Sequence, residues 1–478
     1  MGDVPSAEER RLQRVQQRAF DYFLHETNPA NGLVVDKTAE GWPASIAATG
    51  LALSCYPVAV ERGFVSRGEA KARVLATLRF FRDSEQGRSP AASGHRGFYY
   101  HFLDMKSGRR AWRCELSTVD TAFLIAGMLC AAQYFDSDEA DERELRELAQ
   151  VLYERVDWKW ALGRTNPHGN ARTIGHGWRA ESGFLRYRWE GYDEAMLLYL
   201  LALGSPTHPV PAGSWTAWCA SYEWIRYYDV DYLYAGPLFT HQLSHVWVDF
   251  RGIRDAYMRG RGIDYFENSR RATLVQQRYA RENPQRFQGY GEHAWGITAS
   301  DGPGPTAKRI DGIQRRFYDY IGRGVPFGPD DGTLAPWAVV ASMPFAPEIV
   351  LPTIHHWIEH LKLHDSYRYG FRATYNATFA RAGGSPGWIS PFHFGLNLGP
   401  NVLMIENHRS GLVWALMRGC APLLEGLRRA GFEGGWLDGA SGSRASGAAP
   451  VIVAAAPATA AAVPPVTNDQ RRSTCNSE

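Results

Sequence analysis

Two acidic residues stand directly before a long apolar segment in the first third of the chain. The segment reads CELSTVDTAFLIAGMLC, with Glu115 and Asp120 at the start of its apolar run. Ser117, followed three residues later by Asp120, resembles a capping box in which an aspartate replaces the usual Glu or Gln. Acids are also favourable at the positive end of a helix dipole. The same placement would hold a carboxylate at the rim of a pocket, so both a helix cap and a catalytic acid fit this pattern.

A second segment repeats this design. WEGYDEAMLLYLLALGSP places Glu190, Asp193 and Glu194 immediately before another apolar run. Two buried helices that each present acids at one end favour a paired-carboxylate site. Glycoside hydrolysis needs such a pair, one acid to protonate the leaving oxygen and one carboxylate to activate water or attack the sugar. Burial among aromatic side chains can raise the pKa of the acid, which then keeps its proton near neutral pH.

Several other polar residues are candidates with simpler alternatives. In HQLSHVWVDFRG, His241 and His245 have the i, i+4 spacing of a metal pair, but the segment lacks the glutamate of HExxH. Hydrogen bonding to sugar hydroxyls or to backbone is the favoured role for both. Asp301 in ASDGPGP, and Asp330 and Asp331 in GPDDGT, either form turns or face a cavity.

A third acid precedes an apolar helix near the end of the helical body. MIENHRSGLVW contains Glu406, for which a surface salt bridge is the alternative to a role in the site. No GxxxxGK[ST] motif occurs, and no GxGxxG opens a helix after a strand, which argues against a nucleotide cofactor. The GxSxG elbow of many hydrolases is also missing.

The elements that must position these residues are predicted to be helices. Their apolar spacing fits a helical period, and several are followed by Gly or Pro. The predicted helices are 8–25, 44–62, 67–84, 117–135, 140–157, 190–203, 214–225, 240–259, 263–282, 334–343, 346–363 and 402–431. Clear strands are few, although FYYHFL could form one arm of a short hairpin.

The helix pattern predicts an all-α fold. The segments 119–132 and 195–203 are apolar nearly all round, which indicates burial in a large core, and amphipathic helices alternate with them. About a dozen such helices suit a double ring, an α/α barrel whose inner helices surround an axial cavity. Long loops rich in Gly, Trp, Tyr and His, at 94–102, 166–191 and 287–305, would build the site. A stacked solenoid is the competing layout, but no fixed repeat period is present.

The composition argues against nucleic acid and anionic lipid as partners and against a disulfide or zinc framework. Lys+Arg 52 and Asp+Glu 50 leave a formal net charge of +2, too small a field to favour nucleic acid or anionic lipid. Six dispersed cysteines predict neither a disulfide framework nor a zinc knuckle. Aromatic residues make up 13% of the chain, including 16 Trp, and either pack the core or stack against sugar rings.

The two ends of the chain differ from its body. The charged N-terminus lacks the apolar core of a signal peptide, and no window approaches eighteen apolar residues, so the chain as written is expected in the cytoplasm without a membrane span. Residues 438–478 are rich in Ala, Gly, Ser and Pro and are predicted to be a disordered tail. The rest, 1–437, is predicted to be a single catalytic domain.

The chain resembles the glycoamylase-like family, which includes the endo-β-1,2-glucanases of glycoside hydrolase family 144. It is also similar to the transglycosylase region of cyclic β-1,2-glucan synthases. The matching stretches follow one another in order across about 10–432. They are SIAATGLAL, GFYYHFLDMKSGRR, CELSTVDTAFLIAGML, GYDEAMLLYLLALGSPTHPVP, AGPLFTHQLSHVWVDFRG, YFENSRRATL, WGITASDGP, DGTLAPWAVVASMPFAPE and MIENHRSGLVW.

The resemblance implies an (α/α)6 barrel that hydrolyses β-1,2-glucan, endo-acting and inverting, without metal or organic cofactor. It places the acid cluster on Glu115, Asp120 and Glu194. We predict that Glu194 is the general acid, because its flank GWRAESGFLRYRWEGY is rich in aromatic residues, and that Glu115 or Asp120 is the base or base-positioner. The resemblance further implies an oligo- or polysaccharide substrate, a monomer or weak homo-oligomer, and work in the periplasm or outside the cell. The predicted sugar contacts are Trp178, Trp189, Glu190, Tyr192, His241, His245, Trp295, Asp301 and Glu406.

One departure from the family keeps other functions open. Relatives often carry an Asp-Gln-Gly-Pro-like stretch before MIEN, whereas this chain reads NLGPN with Asn397. An acid that assists catalysis at that point in relatives would be missing here. The alternatives are a transglycosylase or exo-hydrolase on another β-glucan, and a non-catalytic glucan-binding protein on the same fold.

Overall fold

The computed structural model describes residues 6–163, 172–379 and 387–440. Within these ranges the chain forms fifteen α-helices. They are α1 (Ala7–His25), α2 (Ile46–Glu61), α3 (Arg67–Asp83), α4 (Thr118–Tyr134), α5 (Ala140–Glu154), α6 (Met196–Gly204), α7 (Gly213–Cys219), α8 (Ala256–Arg261), α9 (Tyr265–Glu282), α10 (Pro336–Val340), α11 (Pro347–Glu359), α12 (Gly395–Arg409), α13 (Leu412–Arg418), α14 (Ala421–Arg429) and α15 (Gly435–Gly439).

The strands are short, and two of them, β1 and β5, run directly into the buried helices α2 and α4. One antiparallel sheet has the order β2-β3-β5-β6-β7, and the remaining strands pair in twos, β1 with β4, β8 with β9, β10 with β13, β11 with β12 and β14 with β15. The strands are β1 (Ala44–Ser45), β2 (Gly94–His95), β3 (Phe98–Tyr100), β4 (Phe102–Leu103), β5 (Leu116–Ser117), β6 (Gly177–Arg179), β7 (Gly183–Phe184), β8 (Trp224–Tyr227), β9 (Val230–Leu233), β10 (Ala299–Ser300), β11 (Thr306–Ile310), β12 (Ile313–Phe317), β13 (Ile321–Gly322), β14 (Tyr375–Asn376) and β15 (Trp388–Ile389).

The helices divide into a buried set and a half-buried set. Every residue of α6 is buried, and so is every residue of α4 except Gln133. Helix α2 is buried from Ile46 to Ala59. By contrast, α1, α5 and α9 bury one face and expose the other. This confirms the two helices that the sequence predicted to be apolar on every side. Such helices are buried all round, because any exposed face would place apolar side chains in water.

The N-terminal ends of five helices of the described chain lie at one cavity. Ser45 and Ser117, the N-caps of α2 and α4, line it, as does Glu194, two residues before α6. Trp337 near the start of α10 and Asn397 near the start of α12 line the same space. The buried helices therefore deliver polar residues at their N-termini to a common site.

Helices α2 and α4 approach each other closely at two glycines. A Cβ added at Gly127 would lie 2.0 Å from the carbonyl oxygen of Gly50, and one added at Gly50 would lie 2.4 Å from the carbonyl oxygen of Phe123. Backbone atoms cannot move aside as a flexible side chain can. The absence of side chains at these positions thus sets the distance between the two helices that carry Ser45 and Ser117.

Most of the predicted helices are confirmed, with ends that differ by a few residues. The clearest error is 240–259, where the structure has 3-10 turns at Leu238–His241 and Leu243–Val246 and then α8. Apolar spacing alone could not separate a buried helix from buried turns. The predicted helix 402–431 is three helices, α12 to α14, because Ser410–Gly411 and Gly419–Cys420 interrupt it.

Two further predicted helices are shorter than expected. The segment 190–203 becomes helical only at Met196, because Asp193 turns back to accept a hydrogen bond from the Ala195 N–H group at 2.9 Å. The segment 214–225 is helical only in α7 and ends in β8. Strand β8 pairs with β9. Aromatic and β-branched residues such as those of β8 are favoured in strands, which explains why this part is not helical.

The predicted domain boundary lies near the end of the described residues. Helix α15 continues through Asp438 and Gly439, so the ordered body extends past Leu437. Residues 441–478 of the predicted tail and 166–171 of the predicted loop lie outside the described residues. In the ranges that are described, none of the helices has the length and hydropathy needed to cross a bilayer.

Replacing Gly127 with alanine should test the α2–α4 contact. We expect Gly127→Ala to lower the free energy of unfolding by about 1–3 kcal/mol, the usual cost of overpacking a core. Urea unfolding would measure it. Gly68→Ala in α3 is the matched control, since a Cβ there has no neighbour within 4 Å and should leave stability unchanged or slightly raised. Equal stability of the two variants would contradict this account of the contact.

Candidate active site

A cavity of about 610 Å³ lies where the buried helices begin. This volume is within the range of about 300–1,000 Å³ that is usual for small-molecule sites. Aromatic and carboxylate side chains dominate its lining. The described residues that line it are Asp36, Lys37, Trp42, Ser45, His101, Phe102, Trp112, Glu115, Ser117, Val119, Asp120, Phe123, His176, Leu185, Trp189, Glu194, Phe239, Leu243, Ala299, Tyr320, Trp337, Phe394, Leu396 and Asn397.

Short strands fix one wall of this cavity. Strand β3 pairs with β5, which leads into α4, and β4 pairs with β1, which leads into α2. His101 is the single residue between β3 and β4. Its N–H group donates to the carbonyl oxygen of Glu115 at 3.0 Å, and its own carbonyl oxygen accepts from the N–H group of Ile46 at 3.2 Å. Backbone hydrogen bonds therefore place His101 at the junction of the two strand pairs.

The side chain of His101 lies between two carboxylates. Its Nδ1 is 2.9 Å from Oε1 of Glu115, and its Nε2 is 3.6 Å from Oδ2 of Asp120. The hydroxyl of Ser117 donates to the same Oδ2 at 2.5 Å and accepts from the Asp120 N–H group at 3.3 Å. Ser117 thus caps α4 and also holds the Asp120 side chain. The capping interpretation and the cavity interpretation of this segment both apply.

The charges on this wall follow from these contacts. The hydrogen bond and charge of His101 lower the pKa of Glu115 to about 2, although partial burial opposes the change. Burial lowers the pKa of His101, but the carboxylates of Asp120 and Glu115, with a smaller effect of Asp36, raise it to about 9. At neutral pH this wall therefore presents an ionised Glu115 beside a protonated imidazole.

Glu194 is in the opposite electrostatic situation. Burial raises its pKa, and the neighbouring carboxyl of Asp193 and that of Asp120 raise it further. Asp193 itself is partly buried and accepts hydrogen bonds from the Ala195 N–H group and from Trp218 Nε1. One cavity thus contains a carboxyl group that favours its proton and a carboxylate that has lost it. This is the arrangement that acid–base catalysis requires.

Sequence reasoning missed a fourth carboxyl group in the cavity. Asp36 accepts a hydrogen bond from Trp42 Nε1 at 3.1 Å, and burial raises its pKa to about 6 against the lowering effects of His101 and Trp42. The adjacent Lys37 ammonium lies 3.9 Å from the ring centre of Trp42. Asp36 stands in VVDKT, an irregular segment with no helix after it, so nothing in the local pattern marked it.

An exposed tryptophan at the cavity was missed as well. Trp112 is 57% exposed, and its ring packs edge-on against Trp42 at 4.7 Å. Trp112 and Arg113 have φ of 51° and 54°, a left-handed conformation that costs a residue with a Cβ of order 1–3 kcal/mol. The buried guanidinium of Arg110 holds this loop by donating to the carbonyl oxygens of Arg113 and Cys114.

The predicted site residues separate into two groups. Glu115, Asp120, Glu194 and Trp189 line the cavity together with Asn397. The remaining predicted sugar contacts are absent from the lining of this cavity. They are Trp178, Glu190, Tyr192, His241, His245, Trp295, Asp301 and Glu406.

Burial explains the positions of the two predicted histidines. His241 and His245 are each 1% exposed, and burial lowers their pKa values to about 4 and about 3. His245 Nε2 lies 3.0 Å from the hydroxyl of Ser269. Among the described residues, no group of three or more His, Cys, Asp or Glu side chains could hold a metal ion. Both histidines are neutral parts of the core.

The three predicted aromatic contacts away from the cavity also pack in the protein. Trp295 is fully buried and donates from Nε1 to the hydroxyl of Thr353. Trp178 stacks on His95 at 4.9 Å, and Tyr192 packs against His241 at 5.1 Å. They stand in polar, glycine-containing loops like that of Trp189, which does reach the cavity, so the sequence could not separate them.

The predicted acidic contacts away from the cavity have partners elsewhere. Glu190 is exposed and accepts a hydrogen bond from the hydroxyl of Thr173, whereas Asp301 is buried and accepts from Thr374 and Ser390. Glu406 is 1% exposed and forms two hydrogen bonds with the guanidinium of Arg62, at 2.8 and 2.7 Å. Its ion pair is buried, where the sequence suggested a surface salt bridge.

The turn aspartates have structural partners too. Asp331 forms a fully buried ion pair with Arg323 at 2.8 Å and accepts from the Thr333 N–H group. Asp330 accepts hydrogen bonds from Tyr290 and from the Gly332 N–H group. Turn formation, one of the two interpretations from the sequence, is what the structure has at both positions.

Comparison with known proteins finds relatives of this chain. The Glycoamylase family model, described as "Putative glucoamylase", matches residues 186–421, a span that contains Glu194 and Asn397. Over this span the chain is similar to the glycoamylase-like family. It is similar to the exo β-1,2-glucooligosaccharide sophorohydrolase (non-reducing end) of Parabacteroides distasonis, with 26% identity over 89% of this chain. The chain spans only 58% of the length of that relative.

Two solved structures share the fold of this chain. A "putative glucoamylase" from Bacteroides uniformis is 28% identical with a TM-score of 0.77, and the match covers 90% of this chain and 99% of the other. A β-1,2-glucanase from Parabacteroides distasonis is 25% identical with a TM-score of 0.77, over 90% of this chain and 61% of the other. The glycoamylase-like fold therefore covers the helical body described above.

Replacing Glu406 should reduce stability in a pH-dependent way. Burial raises the pKa of this carboxyl, but Arg62, Ser410 and Gln16 together lower it below its ordinary value. The ion pair therefore stabilises the protein above about pH 4, the unfolded value, and its contribution is lost as pH falls through the lower folded value. We expect Glu406→Gln to cost about 2–3 kcal/mol at pH 7 and less near pH 3.

Urea unfolding at both pH values measures this difference. Glu190→Gln is the matched control, because that exposed glutamate should contribute under about 1 kcal/mol at either pH. A cost for Glu406→Gln that stays the same from pH 7 to pH 3 would contradict the assignment.

Proposed function

We propose that this chain is a glycoside hydrolase that cleaves β-1,2-glucan by general acid and base catalysis. The observation that carries the proposal is that one cavity holds two carboxyl groups in opposite surroundings. Glu115 is hydrogen-bonded to His101, whereas burial and the neighbouring Asp193 raise the pKa of Glu194. Two relatives support the choice of glucan, since one is named a sophorohydrolase on β-1,2-glucooligosaccharides and the other a β-1,2-glucanase.

In this mechanism Glu194 protonates the glycosidic oxygen and a carboxylate of the opposite wall activates water. Burial keeps the proton on Glu194 at neutral pH, which is the condition for a general acid. Glu115 and Asp120 are the candidates for the base, and the one that does not act on water positions the other. We propose inversion at the anomeric carbon, which ¹H NMR of the first product formed would test.

The proposed architecture is an (α/α)6 barrel. Five helices, α2, α4, α6, α10 and α12, begin at the cavity and are largely buried, as inner-ring helices would be. The 3-10 turns at 238–246, which contribute Phe239 and Leu243 to the cavity lining, would take the sixth inner position. The half-buried helices α1, α3, α5, α9 and α11 would belong to the outer ring.

Internal cleavage is the proposed mode, and exo-cleavage is the second candidate. The relative named an exo-acting sophorohydrolase of the non-reducing end favours the second. The products distinguish the modes, because internal cleavage gives a ladder of oligosaccharides and the exo mode gives sophorose alone. Chromatography of early products from linear β-1,2-glucan is the measurement.

Replacing Glu194 tests the general acid. We expect Glu194→Gln to lower kcat on β-1,2-glucan about 10²- to 10⁴-fold, the usual contribution of a positioned acid or base. Reducing-end release from β-1,2-, β-1,3-, β-1,4- and α-1,4-glucans measures activity and linkage together. Glu348→Gln, a surface glutamate paired with Arg270, is the control and should keep wild-type rates. Undiminished activity of Glu194→Gln would remove Glu194 from the mechanism.

Replacing Trp112 tests whether the strained loop presents a surface for sugar stacking. We expect Trp112→Ala to raise KM about tenfold, equivalent to about 1.4 kcal/mol of lost binding, with a smaller change in kcat. Trp112→Phe should recover most of the affinity. Phe327→Ala removes an aromatic side chain that is 67% exposed and outside the cavity lining, so its KM should stay at the wild-type value. A wild-type KM for Trp112→Ala would contradict the assignment.

A further inference from the structure

The two ring nitrogens of His101 face different carboxylates. Nδ1 is 2.9 Å from Glu115 and Nε2 is 3.6 Å from Asp120. The Nδ1 contact is a hydrogen bond, whereas the Nε2 contact is at ion-pair distance and too long for a hydrogen bond. A neutral imidazole would have one N–H group and no charge for the second carboxylate, whereas an imidazolium has an N–H group on each nitrogen and attracts both acids. The geometry thus favours the charged form of the ring. The ring of Phe102 stacks on it at 4.1 Å with an interplanar angle of 9°, which leaves the two nitrogen edges free for the acids.

The charged groups around His101 come from four parts of the structure. Glu115 and Asp120 contact it from the segment before β5 and from α4, and Asp36 acts on it from the segment before β1. A second cation, Arg179 on β6, reaches Glu115 Oε2 at 3.9 Å from its half-exposed position. Glu194 lines the same cavity. His101 is therefore the one cation, among the described groups here, that contacts both Glu115 and Asp120.

The fold holds His101 in place without help from its side chain. Its N–H and C=O groups bond to Glu115 and Ile46, and the flanking strands β3 and β4 are paired with β5 and β1. A substitution at this position should leave these backbone hydrogen bonds intact. The effect of the imidazole can therefore be measured separately from its effect on folding.

We propose that His101 is a positioning residue whose imidazolium keeps Glu115 ionised and orients both Glu115 and Asp120, so that this wall supplies the base and Glu194 supplies the acid. The role of His101 in catalysis rests on the proposed function, the hydrolysis of glucan. Without the imidazolium, Asp36, Glu115 and Asp120 would repel one another in a partly buried space, and at least one would bind a proton at a higher pH. The base would then be lost as the pH falls toward neutral.

The pH dependence of kcat/KM on β-1,2-glucan tests the catalytic meaning. His101→Gln keeps an amide donor for Glu115 but carries no charge. We expect the acidic limb of the pH–rate profile of His101→Gln to lie at least one pH unit above that of the wild type. His176→Gln is the matched control, since His176 also lines the cavity but stacks on Trp189 at 3.7 Å, and its acidic limb should not move. A loss of rate in His101→Gln with no movement of the limb would overturn the proposal.

Histidine side-chain NMR tests the charge without any substrate. One imidazole, identified by its absence in the His101→Gln spectrum, should stay protonated up to about pH 9 in the wild type. Glu115→Gln should lower that titration midpoint. Titration of His101 at or below its ordinary value of about 6.5 would overturn the proposal. If the imidazole is protonated as expected but the protein hydrolyses no glucan, the proposed function fails and the state of His101 is still established.

Discussion

Four carboxyl groups line one cavity, and they cannot all be charged there without a cation among them. Asp36, Glu115, Asp120 and Glu194 share this space, and His101 contacts two of them. Like charges in a medium of low dielectric repel strongly, so the groups separate into ionised and protonated states. The position of one imidazole decides which wall is ionised. In the proposed mechanism this wall is the base side and Glu194 is the acid side.

The helical scaffold makes this arrangement rigid. The carboxyl groups lie at or near the starts of buried helices or beside the short strands that lead into them, and the two glycines of the α2–α4 contact fix the distance between two of those starts. A helix buried on every side cannot rotate to release its terminal residues without exposing apolar surface. At the exposed rim of the cavity, Trp112 and Arg113 have the left-handed backbone conformation that is strained for residues with a Cβ.

The sequence predicts the scaffold and the central acids better than it predicts their surroundings. Glu115, Asp120 and Glu194 could be found because each stands at the start of a long apolar run. The same pattern also selected Glu406, which forms a buried ion pair outside the cavity lining. Asp36 and His101 could not be found, since their positions depend on pairing between strands of two or three residues. The helix predicted at 240–259 was wrong because buried 3-10 turns have the same apolar composition as a buried helix.

The most direct test of the central claim is a crystal structure of the protein with a non-hydrolysable, sulfur-linked β-1,2-gluco-oligosaccharide. The account predicts that the linking sulfur lies within hydrogen-bond reach of the Glu194 carboxyl, directly or through one sugar hydroxyl. Glu115 and Asp120 would then face the anomeric carbon from the opposite side, with His101 still between them. An oligosaccharide bound away from these carboxyl groups, or with all of them on one side of the ring, would contradict the account.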